Sequence, residues 1–148
     1  MWKLPTPDRL AAWKRFRSEL DRMDFESALE HTARLWNRAP FNPFYLEHDN
    51  VNDWPDPWTL IADNCYCDLA KALGMLYTLH LSEHRNHEFE LVVFKHKVNR
   101  GLYNLLWIDR GKYVLNLEPE EFVNKKSIPQ ELEIKIKFSS SELKLDRY

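Results

Sequence analysis

Three glycines in 148 residues leave no material for a glycine-rich phosphate loop. Cysteine is equally scarce: Cys65 and Cys67 are the only two, and they stand two residues apart. That spacing excludes an ordinary disulfide between them and implies a reducing compartment. Neither sign of charge is in excess. The 21 Lys and Arg face 23 Asp and Glu, for a formal net charge of −2, so nucleic acid is not an expected partner. No apolar run approaches membrane-spanning length, and Met1–Pro7, short, polar and proline-bearing, does not have the form of a secretory signal. No membrane and no cofactor are expected. What the chain has in quantity is aromatic side chain: six Trp, six Tyr and eight Phe, 14% of residues, within a hydrophobic fraction of 44%. That composition excludes disorder and calls for a packed core or an aromatic contact surface.

The length fits one domain over 1–148. Thr6-Pro7-Asp8 reads as an N-cap, a first-turn proline and a first-turn acid. Leu10, Trp13, Phe16, Leu20 and Met23 then recur at helical spacing, predicting a helix over 7–22. Asp24 caps a second helix over 25–37, whose stripe is Phe25, Ala28, Leu29, Thr32, Leu35 and Trp36. Residues 38–56 are a loop with Pro40, Pro43 and Pro55 among Phe41, Phe44, Tyr45, Leu46 and Trp54. A loop this long is packed down by its own side chains or contacts a partner. Asp56-Pro57 opens a central helix over 57–84 that is apolar nearly all round and therefore buried. Asp63-Asn64 is the point where it would break, and Gly74 predicts close approach of a neighbour.

Beyond residue 88 the period changes to two. Phe89–Lys97, Tyr103–Asp109, Lys112–Leu117 and Leu132–Phe138 read as strands. Asn99-Arg100-Gly101 and Arg110-Gly111 read as tight hairpin loops with Gly in the left-handed position. The final strand alternates charge and apolar groups, as at a sheet edge. The expected fold is α+β: N-terminal helices over 1–37 and the buried central helix, packed on an antiparallel sheet of about four strands over 88–138.

Four constellations bear on chemistry. Asn64-Cys65-Tyr66-Cys67-Asp68 puts a thiol near a helix N-terminus, where the dipole favours the thiolate. If Asn99–Gly101 is the hairpin loop, His96 faces Asn104, and Cys65 or Cys67, His96 and Asn104 form a candidate catalytic set; the bland alternative is two buried cysteines and a strand-end histidine. His80, His84 and His87 follow at i, i+4 and i+7. They are weak metal candidates against the ordinary placement of His at a helix C-terminus. The carboxylates from Asp8 to Glu30 alternate with arginines and read as a solvated face. Phe41, Phe44, Tyr45, Trp54 and Trp58, set among prolines, are candidate partner-binding residues.

The order of a cysteine-bearing helix followed by strands, with Tyr103–Ile108 and Tyr113–Pro119, resembles the transglutaminase-like and papain-like cysteine enzymes. The resemblance implies a helix carrying Cys, then strands carrying His and Asp. Here Tyr103 or Asn104 stands where the pattern has His, and Glu118 where it has Asp before Pro. A second resemblance spans 36–117. Trp54-Pro55-Asp56-Pro57-Trp58, Ala72-Leu73-Gly74-Met75-Leu76-Tyr77-Thr78-Leu79 and Tyr113–Asn116 are similar to segments of small proteins of tailed bacteriophages. It implies a phage origin and carries over no catalytic residue. Two readings follow. The leading one is a non-enzymatic interaction or assembly protein with protein partners, such as a tail, baseplate or neck component, in the virion or host cytoplasm. The alternative is a thiol-dependent acyltransferase or hydrolase.

Overall fold

A computed structural model describes residues 1–148. Four helices precede a four-stranded antiparallel sheet, so the α+β expectation holds. The helices are α1 (Thr6–Leu20), α2 (Phe25–Asn37), α3 (Pro57–Asp63) and α4 (Asp68–His80). The strands are β1 (Phe89–His96), β2 (Leu102–Ile108), β3 (Tyr113–Leu115) and β4 (Leu132–Phe138), in spatial order β3-β2-β1-β4.

Two N-termini carry the expected caps. The Asp24 carboxylate accepts from Ser27 N–H at 2.8 Å and the Asp56 carboxylate from Thr59 N–H at 2.7 Å, each satisfying an orphan donor of the first turn. The start of α1 differs: Pro5 occupies the cap position and Thr6 is already helical. The Thr6 hydroxyl accepts instead from the Arg9 guanidinium at 3.1 Å.

The single central helix expected over 57–84 is two helices. Asn64 adopts the left-handed conformation, φ 51° and ψ 43°, and ends α3; Asn tolerates that region because its short amide can bond locally. Arg9, only 5% exposed, secures the break: its Nε donates to Ile61 O at 2.9 Å and an Nη to Ala62 O at 2.9 Å. These carbonyls belong to the last turn of α3, which has no intrahelical partner for them. Residues 65–67 then run beside the aromatic loop, with Tyr66 N–H donating to Pro40 O and Asn42 N–H to Tyr66 O.

α4 is buried on almost every side, and α1, α2 and the sheet pack around it. Thr78 lies at the crossing point. Its hydroxyl accepts from the indole N–H of Trp13 at 3.1 Å and of Trp36 at 2.9 Å, and donates to Gly74 O at 2.7 Å. All three side chains, from three helices, are fully buried. Gly74 lets the Trp36 ring lie against the α4 backbone: a Cβ there would collide with the indole.

Both sheet faces are covered. Leu91, Val93, Leu106, Ile108 and Leu115 face the helices, while Val92, Phe94, Leu105, Trp107 and Val114 form a smaller cluster under the 117–131 segment. The two hairpins depart from expectation in detail. Lys95 pairs with Leu102, and Arg100, not Gly101, takes the left-handed conformation (φ 67°). In the second loop Asp109, Arg110 and Gly111 all have positive φ. β4 is an edge strand, but a register shift opposite Val93/Phe94 interrupts its alternation. Leu132 therefore joins one core face and Phe138 the other, and Ile134 is left 48% exposed.

Gly74→Ala tests the close approach. Alanine normally stabilises a helix interior by about 1 kcal/mol over glycine. Here the overpacking against Trp36 outweighs that gain, and a net loss of about 1–3 kcal/mol is expected, read as a lower urea midpoint at unchanged slope.

Candidate functional site

The break between α3 and α4 sets the site. Cys67 is the N-cap of α4 and Asp68 its first residue. β2 and the end of β3 approach this helix start from the sheet side. The Asp68 carboxylate accepts from Asn104 Nδ2 at 3.0 Å, from Asn104 N–H at 3.3 Å and from Asn116 Nδ2 at 3.1 Å. Asn116 Nδ2 also donates to Asn104 O at 2.8 Å. Asn116 follows β3 with φ 73°, so its backbone is held in the left-handed region to aim the amide inward. An acid in the first turn of a helix is electrostatically favoured, and three N–H donors on one carboxylate give a closed cluster. All three residues are half-buried.

The thiols lie beside this cluster on the loop side. Cys67 is 6% exposed, and its Sγ sits 3.4 Å from the Leu46 N–H and 3.8 Å from Leu46 O. The Cys65 Sγ is 3.0 Å from Asn42 Nδ2. Both sulfurs thus pin residues 42–46 of the aromatic loop, and both are free thiols. A cleft of about 210 Å³ opens here, with Cys67, Asp68, Asn104 and His48 in its wall and Phe41 and Leu102 at its rim.

Cys67 and Asn104 share this cleft, but His96 is not part of it. Asn104 pairs with Val93, not with His96, which corrects the register expected from a shorter hairpin loop. His96 lies three residues further along β1, about 10 Å away along the strand. Its Nδ1 accepts from the N–H groups of Val98 and Asn99 at 3.2 Å each, closing the hairpin turn. Two residues that the sequence reading missed join the site. Asn116 stands two positions before Glu118, the residue that the spacing had offered. His48 lies in the aromatic loop, where nothing in the local pattern marked it.

The histidine stripe does not assemble. α4 ends at His80. His80 Nε2–H donates to Leu145 O at 2.8 Å and His84 Nε2–H to Leu20 O at 2.8 Å, while His87 Nδ1 meets Asp109 Oδ2 at 2.7 Å. Each ring fastens a different segment, and no three His, Cys, Asp or Glu side chains gather in a metal-binding arrangement. Burial, then the nearby Arg85, pushes the His80 pKa down. Burial pushes Asp109 up, but its bonds from His87 and Glu88 N–H prevail and hold it below the ordinary carboxylate range.

The aromatic set divides. Phe41 is 65%, Phe44 91% and Trp58 46% exposed. Tyr45 gives its hydroxyl to Asp63, and burial followed by that bond raises its pKa. Trp54 donates to Glu47 O at 2.8 Å and packs edge-on against Phe138.

No family model matches the chain, and no curated protein does. Solved structures do. Legionella pneumophila LapG in its calcium-bound form superposes with a TM-score of 0.71 at 16% identity, over 93% of this chain and 78% of that one. A second LapG structure and an EGTA-treated one both give 0.71 at 14% identity, over 91% of this chain and 75% and 74% of theirs. At such identity the likeness is one of fold.

Asn116→Asp probes the cluster. It removes two N–H donations and sets a second carboxylate beside Asp68, so a loss of about 1–3 kcal/mol is expected at pH 7. Repulsion raises the folded pKa of the carboxylate pair above its unfolded value. The penalty is therefore full at neutral pH and shrinks as pH falls and the pair takes up a proton. Urea unfolding of wild type and variant at pH 7 and near pH 4 measures the narrowing gap.

Proposed function

We propose that the protein is a non-catalytic binding protein built on a transglutaminase-like fold, with the cleft at the start of α4 as its contact surface. One observation carries this reading: the Asp68–Asn104–Asn116 cluster. In the transglutaminase-like pattern a helix start, a strand and the next strand supply Cys, His and Asp. The same three elements here supply a carboxylate and two carboxamides. A carboxamide neither takes nor gives a proton near neutral pH, and the cluster's one carboxylate, Asp68, already accepts three N–H donors and meets neither sulfur. Neither sulfur has an imidazole within hydrogen-bond range; their partners are Asn42 and Leu46. A nucleophile without a base and an orienting group lacks the apparatus of covalent catalysis. Phe41 on the cleft and Phe44 on the same loop, both exposed, give this surface apolar anchors for a protein partner, whereas Trp58 lies apart, against Tyr148. The phage-like sequence pattern supports a setting in a virion or an infected cell.

A second reading keeps the enzyme. LapG, a transglutaminase-like cysteine protease, shares the fold, and Cys67 and His48 line one cleft. On that reading Cys67 is the nucleophile of acyl transfer or hydrolysis, His48 supplies the base from the loop, and Asn104 lies beside them. No cofactor enters either reading.

Iodoacetamide labelling at pH 7 separates the two. On the binding reading, Cys65 and Cys67 label more slowly in the folded protein than a cysteine in an unfolded peptide, and His48→Ala changes nothing. Labelling about tenfold faster than the peptide, lost in His48→Ala, would establish the enzyme instead.

A further inference from the structure

A second cleft, of about 260 Å³, lies where the N-terminal turn meets α1 and α2, and it shares no lining residue with the cleft at α4. Its floor is apolar: Trp2, Phe16 and Leu35, all half-buried. Its other side is cationic, with His31, Arg34 and Arg38 along one stripe of α2 and its C-cap. No carboxylate lines it.

The walls are fixed. Trp2 Nε1–H donates to Leu35 O at 3.0 Å, and Asn64 Nδ2 donates to Trp2 O at 3.0 Å. The Trp2 ring packs on Trp36 and Tyr66, with centroids 4.9 and 5.4 Å away. A preformed wall lowers the ordering cost of binding. The cations, by contrast, are under-used. Arg34 makes no hydrogen bond and no ion pair. Arg38 uses only its Nε, on Glu120 at 3.1 Å, and both of those side chains are exposed. His31 Nδ1–H is spent on Ser27 O at 2.8 Å, which leaves Nε2 without a partner. Basic residues in the last turn of a helix are ordinary. Two arginine forks with free donors above an apolar floor, met by one exposed carboxylate on a single Nε, are less so.

We infer that this cleft binds an acidic peptide segment, with one aliphatic side chain on the Trp2–Phe16–Leu35 floor and flanking carboxylates on Arg34 and Arg38. The charge complementarity selects carboxylates, which match the planar guanidinium bidentately. The size selects a single side chain, because the cleft falls below the range of about 300–1,000 Å³ that holds cofactors and drug-sized ligands. The inference stands apart from the proposed role of the α4 cleft, whose failure would leave it untouched.

Calorimetric titration of the full chain with the pentapeptide Glu-Asp-Leu-Glu-Asp tests it. Binding is expected, weakening at least about tenfold in each of three controls: the peptide Gln-Asn-Leu-Gln-Asn, the peptide Glu-Asp-Gly-Glu-Asp, and the Arg34→Glu/Arg38→Glu variant. Unchanged near-ultraviolet circular dichroism shows that the variant is folded, and the two peptide controls use the wild-type chain alone. Absence of binding, equal binding by the Gly or amide peptide, undiminished binding by the folded variant, or tighter binding of ATP than of the acidic peptide would each overturn the inference.

Discussion

The Thr78 hydroxyl is the point on which the helical half depends. Two indole N–H groups from separate helices converge on one oxygen inside a core that excludes water. Each such bond contributes about 0.5–1.5 kcal/mol net, but leaving a buried donor unpaired costs about 1–3 kcal/mol. The arrangement therefore penalises misplacement of α1 or α2 more than it rewards correct placement. It also fixes where Trp36 can lie, and Trp36 needs Gly74 bare. Three sequence choices on α4 and its neighbours are thus one choice: Trp13, Trp36 and the Gly74–Thr78 pair four residues apart on one helix face.

With α4 fixed by that junction, its N-terminus is fixed too, and the Arg9 clamp on α3 determines how the chain enters it. Ile61 O and Ala62 O take their donors from Arg9, Asn64 turns through the left-handed region, and Tyr66 bridges to the 40–42 backbone. The aromatic loop is consequently held at the start of α4, and its residues 42–46 close over both sulfurs. The cleft exists because a helix was interrupted at Asn64. An unbroken helix over 57–84 would carry Cys65 and Cys67 on its sides, with no helix N-terminus near either.

The layered architecture was legible because period and punctuation agreed along the chain. Asp24 and Asp56 mark true helix starts, and the four strands fall within a residue or two of their expected positions, except the shorter β3. What was not legible depends on partners distant in sequence. Nothing local shows that Arg9 is buried against α3, because the two carbonyls that it clamps there lie more than fifty residues away. The hairpin register was misread by giving the left-handed position to Gly101, where Arg100 takes it, and that error carried His96 toward Asn104. The β4 alternation concealed a bulge. For the candidate site, the sequence pointed to the turn of chain around Cys67 and Asp68 and to Asn104, which line one cleft, and to His96, which does not. It missed Asn116, because spacing drew attention to the acid Glu118, whereas the side chain that bonds Asp68 and Asn104 is an amide two positions earlier.

The amide at 116 has a physical logic. Asparagine and aspartate have nearly the same shape, so an amide at 116 fills its place without disturbing β3. It differs in bringing donors where a carboxylate has only acceptors. With carboxamides at 104 and 116, the compatible partner at the helix start is an acceptor, and Asp68 supplies one. The cluster is self-consistent as it stands: one anion, two amides, and a helix dipole favouring the anion. A carboxylate in place of either amide would set a second negative charge beside Asp68 with no donor between them. The fold places the three side chains, and the charges that they carry decide which donors and acceptors can meet there.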